Sequence, residues 1–291
     1  MNFCPDCGKP CEGLKFCGEC GFDLRPYIPV VDNITPPEQP KPQATATAAV
    51  GTAQPAQPAK PQMVTAQAQE QTIPDNIEEL LAPFTWRKNA DGKTYTITGV
   101  KDKNIQSADI PYGVINIENY AFYDCISLTS INIPNGVTSI SQSAFHTCTS
   151  LTSINIPNSV TSINSGAFSG CTSLTSINIP NSVTSIGQAA FWECKSLTSI
   201  NLPSSIASIE SWAFYDCTSL TSVNLSNGVT SIGEAAFDSC KSLTNINFPD
   251  SVTSIGKWAF SKCRALKEVR IPRHTKVPSR AFPTACQIIR T

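Results

Sequence analysis

The sequence predicts a mainly β solenoid, with short parallel strands and short helical turns stacked coil upon coil behind a small cysteine-rich module and a disordered linker. Three observations carry this expectation. The motif Ala-Phe-x-x-Cys recurs with its Phe at 122, 145, 168, 191, 214, 237 and 260, always twenty-three residues apart. The sixteen letters CTSLTSINIPNSVTSI stand at 148–163 and again, unchanged, at 171–186. Ahead of this periodic part, no aromatic residue occurs between Tyr27 and Phe84, and nine prolines fall from Pro29 to Pro74.

The 291 residues, 41% hydrophobic and 8% aromatic, suffice to build an ordered core. A formal net charge of −1 gives the chain no overall field that would draw it to nucleic acid or an anionic membrane, so any such role must be local. No run of eighteen apolar residues exists, and no membrane association is expected. The start, Met-Asn-Phe-Cys-Pro-Asp, lacks the basic and apolar regions of a secretory signal, from which a cytoplasmic location is expected.

Residues 1–25 hold two C-x2-C pairs, Cys4 with Cys7 and Cys17 with Cys20, each pair followed by glycine and separated by nine residues. Paired thiolates on tight Gly-containing turns can close a tetrahedron around zinc, and a segment this short has few other ways to fold. The expected cofactor is therefore one structural zinc per chain, because four thiolates leave no open coordination position. This module resembles the small zinc ribbons at the start of many bacterial proteins, whose ligand positions Cys4, Cys7, Cys17 and Cys20 match. Cys11 is a spectator or an alternative fourth ligand. A redox reading of C-x-x-C needs a βαβ context that the segment lacks.

Residues 26–75, rich in Pro, Ala, Gln and Thr, bury too little apolar surface to offset backbone ordering and read as a disordered linker of polyproline character. Its expected span is roughly 35–40 Å.

The third segment, 76–291, opens with FTWRKNADGKTYTITGV, whose alternation around Asp91-Gly92 predicts a β-hairpin cap over about 84–104. Within one period, Leu128, Ile131, Ile133, Val137, Ile140, Ala144, Phe145 and Cys148 are apolar, and nearly everything between them is small and polar. One coil cannot bury eight such residues, whereas stacked coils bury them in a continuous narrow core. The spacing L-x-x-I-x-I gives a strand ended by Pro134, and Asn135-Gly136 turns the chain. VTSI reads as a second short strand, and the small residues before Ala-Phe as a helical turn. About eight coils at about 4.8 Å predict a rod near 40 Å long, with each buried Phe contributing about 1.5–3 kcal/mol.

The pattern LTSINIPNSVTSIGEAAFxxC, with the lead-in YTITG at 95–99, resembles the BspA-like class of leucine-rich repeats over roughly residues 84–291. The resemblance implies a leucine-rich-repeat solenoid that binds other proteins, in a family known mainly from bacteria and some parasitic protists and often found at cell surfaces.

Cys125, Cys148, Cys171, Cys194, Cys217, Cys240, Cys263 and Cys286 recur every twenty-three residues and should form one column. Stacked side chains point in parallel rather than at each other, so buried free thiols are expected in preference to a disulfide ladder or metal array. The two histidines, His146 and His274, sit in no ligand or nucleophile motif, and no Walker A, Rossmann or G-x-S-x-G pattern occurs, so no enzyme is expected.

Each coil touches only its neighbours, so the copied sixteen residues specify stacking, and recognition of a unique partner must lie where copies differ. The strand face, with outward Thr129, Ser130, Asn132 and their equivalents, is nearly uniform and suits only a repetitive ligand or plain solvation. The variable positions flanking Ala-Phe include Tyr120, Tyr123, Trp192, Trp212, Tyr215 and Trp258. Of these, Trp192, Trp212, Tyr215 and Trp258 are the candidate anchors for another protein. From Lys262 to Arg290 there are eight Lys or Arg and one Glu. They make a polar end face, or an anion patch at Arg264, Lys267 and Arg270 that would suit nucleic acid. The expected function is a non-enzymatic protein-interaction scaffold, the alternatives being a nucleic-acid-associated factor or an exported surface adhesin.

Overall fold

The structure is a computed structural model and describes residues 72–291. Nine short parallel strands lie side by side along one face, from Ser107–Asp109, Ser130–Asn132 and Ser153–Asn155 through to Glu268–Ile271 and Gln287–Arg290. In the regular coils they pair in register one period apart, as Ser153 with Ser176 and Ile154 with Ile177, while the last strand pairs Gln287 with Glu268, nineteen residues back. In the regular coils their burial alternates exposed, buried, exposed, so the central Ile or Val enters the core while the flanking Ser and Asn face outward, whereas the last strand, Gln287–Arg290, has no buried residue. This is one coil more than the seven regular motifs and the eighth imperfect copy imply. Ser107-Ala108-Asp109, ahead of the first regular motif, already pairs with Ser130–Asn132.

After the Pro-Asn turn comes the second strand of each coil, only two residues long in the regular repeats, such as Ser162–Ile163 and Ser185–Ile186. These also stack in parallel register. The hairpin Phe84–Lys88 and Tyr95–Val100 joins this column, because its second strand pairs in parallel with Val114–Ile117. Its turn is held by Asp91, whose carboxylate accepts from the Lys93 and Thr94 amides and the Thr94 hydroxyl. Phe84 meets Phe122 edge to face, which caps the aromatic column at that end.

The expected helical turn before each Ala-Phe pair is not helical. In the coil 141–148 the amides of Ala144, His146 and Cys148 bond three residues back, while those of Ser143, Phe145 and Thr147 cross to carbonyls of the next coil. Alternate donors therefore feed a third inter-coil ladder, which leaves none for a bond four residues back. From Tyr120 to Ser239 the chain bends this tightly by entering the left-handed region twice per coil, as at Ser143 (φ 50°) and Thr147 (φ 57°), positions held by Gly166 and Gly170 in the next coil. Among the described residues the one helix is Ile77–Leu80, whose Ile77 packs into the core beside the first coils.

Eight phenylalanine rings, Phe122 to Phe282, stack with centroids 5.0–5.5 Å apart and planes within 19°. The spacing is that of the coils, so each ring fills the gap its neighbour leaves. Cys125 to Cys263 are buried and free of disulfides, as expected, and Cys286 is half-buried. The thiols also do something the spacing does not reveal. Cys148, Cys171, Cys194, Cys217, Cys240 and Cys263 each donate to the carbonyl of the Phe twenty-six residues back, at 3.1–3.3 Å.

Candidate partner-binding surfaces

The left-handed positions and the residues just after each Phe line up along one side of the stack, where the copies differ most, from buried Ser143, His146 and Ser169 to half-buried Trp192 and Tyr215. At the position after Phe the column reads Tyr123, His146, Ser169, Trp192, Tyr215, Asp238, Ser261. Tyr123 stacks on His146 with centroids 5.4 Å apart, and Trp192 stacks on Tyr215 at 4.3 Å. Trp212, at a left-handed position (φ 57°), reaches the Trp192 ring at 6.4 Å with a tilt of 58°. Three of the four candidate anchors thus form one cluster. Trp258 occupies the position equivalent to Trp212 two coils on, with Lys257 Nζ 3.9 Å from its ring centroid. All four rings are half-buried. The edge is therefore both packed and partly exposed: Trp192, Trp212 and Tyr215 touch one another, and Trp258 has the Lys257 ammonium over its ring.

Charged groups border the cluster in a staggered series. Glu193 pairs with Lys195 at 3.0 Å, Asp216 with Lys241 at 4.0 Å and Asp238 with Lys262 at 3.7 Å. Partial burial raises the Asp216 carboxyl and the Tyr215 hydroxyl above their ordinary values, and Lys241 and Lys262 respectively are the largest opposing influences.

The strand face is as uniform as the repeats imply. Its exposed threonines are engaged rather than free. Thr152, Thr175, Thr198, Thr221 and Thr244 each donate a hydroxyl to the carbonyl of the threonine one coil earlier, at 3.0–3.4 Å. The last coils break the uniformity. Arg264, Lys267 and Arg270 are exposed there, yet Lys267 donates to the Arg264 carbonyl and Arg270 lies 3.5 Å from Glu268. Arg290 turns inward to the Pro272 and Thr275 carbonyls.

Cys4, Cys7, Cys17 and Cys20, with the zinc they are expected to hold, lie outside the described residues. Among the described residues no group of three or more His, Cys, Asp or Glu could hold a metal ion, and no helix is long and apolar enough to cross a membrane. The sequence reading missed a groove beneath the cap, floored by Asp109, Asn132, Asn155 and Asn178. Its outward column was visible in the spacing, but the overhang that makes it concave comes from Leu80 and Pro83, far from it in sequence.

The BspA type Leucine rich repeat region matches this chain in six copies, over residues 100–217 and 184–290. Among solved structures, the T. pallidum leucine-rich repeat protein is 34% identical, with 64% of this chain and 88% of that one covered and a TM-score of 0.60. A leucine-rich repeat protein from Bacteroides ovatus is 25% identical, covering 64% and 66% of the two chains with a TM-score of 0.35. A leucine-rich cell surface protein from Faecalibacterium prausnitzii is 23% identical, covering 72% and 93% with a TM-score of 0.34. No curated protein sequence matches.

Proposed function

The chain belongs to the BspA-type leucine-rich repeat family, and from that premise we propose that it is a non-enzymatic interaction scaffold whose solenoid holds another protein at its aromatic edge. One observation carries the reading. Within the regular repeats Trp and Tyr are confined to positions flanking Ala-Phe, and three of them, Trp192, Trp212 and Tyr215, meet in one half-buried cluster. Half-buried aromatic rings on a rigid support lose little entropy on binding and bury much area, which is what an interface centre requires. Identical coils offer no address, and this cluster does.

The test is capture of a partner from native lysate by the full chain carrying Trp212→Ala and Trp258→Ala, against a chain carrying Thr198→Ala and Thr221→Ala. Truncating an anchoring aromatic typically costs about 2 kcal/mol or more, roughly thirtyfold in affinity. Loss in the Trp pair alone supports the aromatic edge. Loss in the Thr pair alone moves recognition to the strand face and to a repetitive ligand.

The N-terminal module belongs to the same proposal as a second, zinc-stabilised unit. Its support is the donor set, four thiolates in two C-x2-C pairs. Metal analysis is expected to give one zinc per chain, lost on Cys→Ser at Cys4 and Cys7 or at Cys17 and Cys20. A nucleic-acid role is the second reading, supported by the exposed Arg264, Lys267 and Arg270. It requires binding to DNA or RNA that weakens steeply with salt and whose salt slope flattens when those three become Ala.

A further inference from the structure

A second surface lies on the strand face beneath the cap. Pro74, Leu80, Pro83 and Tyr112 line a groove of about 760 Å³, and its floor is the outward column Asp109, Asn132, Asn155 and Asn178. These side chains stand one per coil, so their spacing is about 4.8 Å. Asn132 Nδ2 donates to Asp109 Oδ1 at 2.8 Å, which links the first two rungs. The Ile-Pro pairs at 133–134 and 156–157 edge the same groove.

A chain lying along such a ladder must repeat in step with it. In an extended β-strand, residues facing the same way are about 6.8 Å apart, which matches neither one coil nor two. In a polyproline II helix the rise is about 3.1 Å with three residues per turn, so every third residue returns at about 9.3 Å, close to the roughly 9.6 Å of two coils. Such a helix has no internal hydrogen bonds, and its carbonyls are open to donors such as carboxamide Nδ2.

Ahead of the described residues the sequence has prolines at the matching interval. Pro55, Pro58 and Pro61 are spaced by three, which puts all three on one side of a polyproline II helix. Lys60 adds a positive charge next to Pro61, matching Asp109 at the cap end of the floor. Pro74, which lines the groove, is thirteen residues beyond Pro61. A tether of that length averages about 20 Å end to end, against about 15 Å for the four rungs, so the effective concentration is in the millimolar range.

We propose that residues 55–61 dock in this groove of their own chain as a polyproline II helix, with Pro61 toward the cap and Lys60 beside Asp109. The groove is then filled in cis, and the aromatic edge is left as the surface open to another protein.

The test uses the full chain with Gln57→p-benzoyl-phenylalanine, irradiated and mapped by mass spectrometry. The expected result is an intrachain crosslink to the groove between residues 109 and 158. That crosslink is expected to disappear in a chain carrying Pro55→Gly, Pro58→Gly and Pro61→Gly, which keeps the tether length, and in one carrying Asn155→Arg, with circular dichroism confirming that the solenoid is folded. Crosslinks to other faces, crosslinks only between two chains, no crosslink, or groove crosslinks that persist in the triple-glycine chain would each overturn the proposal.

Discussion

Cys148 shows how one residue serves both core and ladder. Its thiol is fully buried and donates to the Phe122 carbonyl across the coil boundary at 3.2 Å. Burial pushes the thiols of Cys148, Cys171, Cys194, Cys217 and Cys240 well above the usual cysteine range. A group whose value is raised on folding contributes its full stability below the unfolded value, near 8.5, and loses it as pH rises further. Each such thiol should therefore lower the stability of the fold as pH rises above about 8.5. Urea midpoints are expected to fall steeply between pH 8 and 10, and Cys194→Ala should lessen the slope. A slope near zero, or rapid alkylation of Cys148 to Cys240 in the folded chain at pH 8, would contradict the buried thiol column. Cys286, half-buried, should be the accessible thiol of the described residues.

At the scale of elements, the cap hairpin and the coil turns are held by different means. The hairpin turn depends on one carboxylate. Three hydrogen bonds from Thr94 and Lys93, the Thr94 amide first among them, hold the Asp91 carboxyl down to about 2. A depressed carboxylate contributes stability above its unfolded value, near 3.9, and loses it as pH falls toward the folded one. Hydrogen exchange at the Lys93 and Thr94 amides should therefore be slow at pH 5 and lose protection near pH 2, and Asp91→Ala should abolish that difference. The coil turns depend instead on close approach between coils. A Cβ at Gly187 would lie 2.5 Å from the Ser165 backbone nitrogen, so this glycine lets two coils meet. The left-handed positions, by contrast, tolerate side chains as large as Trp212 and Trp258 (φ 57° and 59°), because inter-coil hydrogen bonds fix the turn around them.

For the whole molecule, stability is a sum over neighbouring coils, since each ring, thiol and strand meets only the copy before and after it. Removing residues 149–171 should leave a folded protein, because Cys148 then continues into Thr172 and the Phe145 ring meets Phe191 in place of Phe168. Scattering should show a rod shorter by about 4.8 Å, with cooperative melting retained. Removing 149–159 takes out the strand Ser153–Asn155 and leaves a coil too short to close between its neighbours, which should be far more damaging. Equal damage from the two deletions would contradict the stacked arrangement.

The repeat period, the identity of the core column and the free state of its cysteines were legible in the sequence, because a twenty-three-residue period admits one consistent way of laying apolar residues over their own copies. The hairpin was legible from Asp91-Gly92 and its alternating flanks. Other features were settled by contacts between residues remote in sequence. Ser141 to Phe145 has a composition that suits a helical turn, but crossed hydrogen bonds to the next coil compete successfully for its amides. Trp192, Trp212 and Tyr215 were visible as variable aromatics, and only the register of adjacent coils brings them into one cluster. The groove over Asp109 and Asn132 exists because Leu80 and Pro83 fold over the first coils. Local periodicity dictates what stacks on what, whereas the shape of a surface depends on which remote segments the stacking brings side by side.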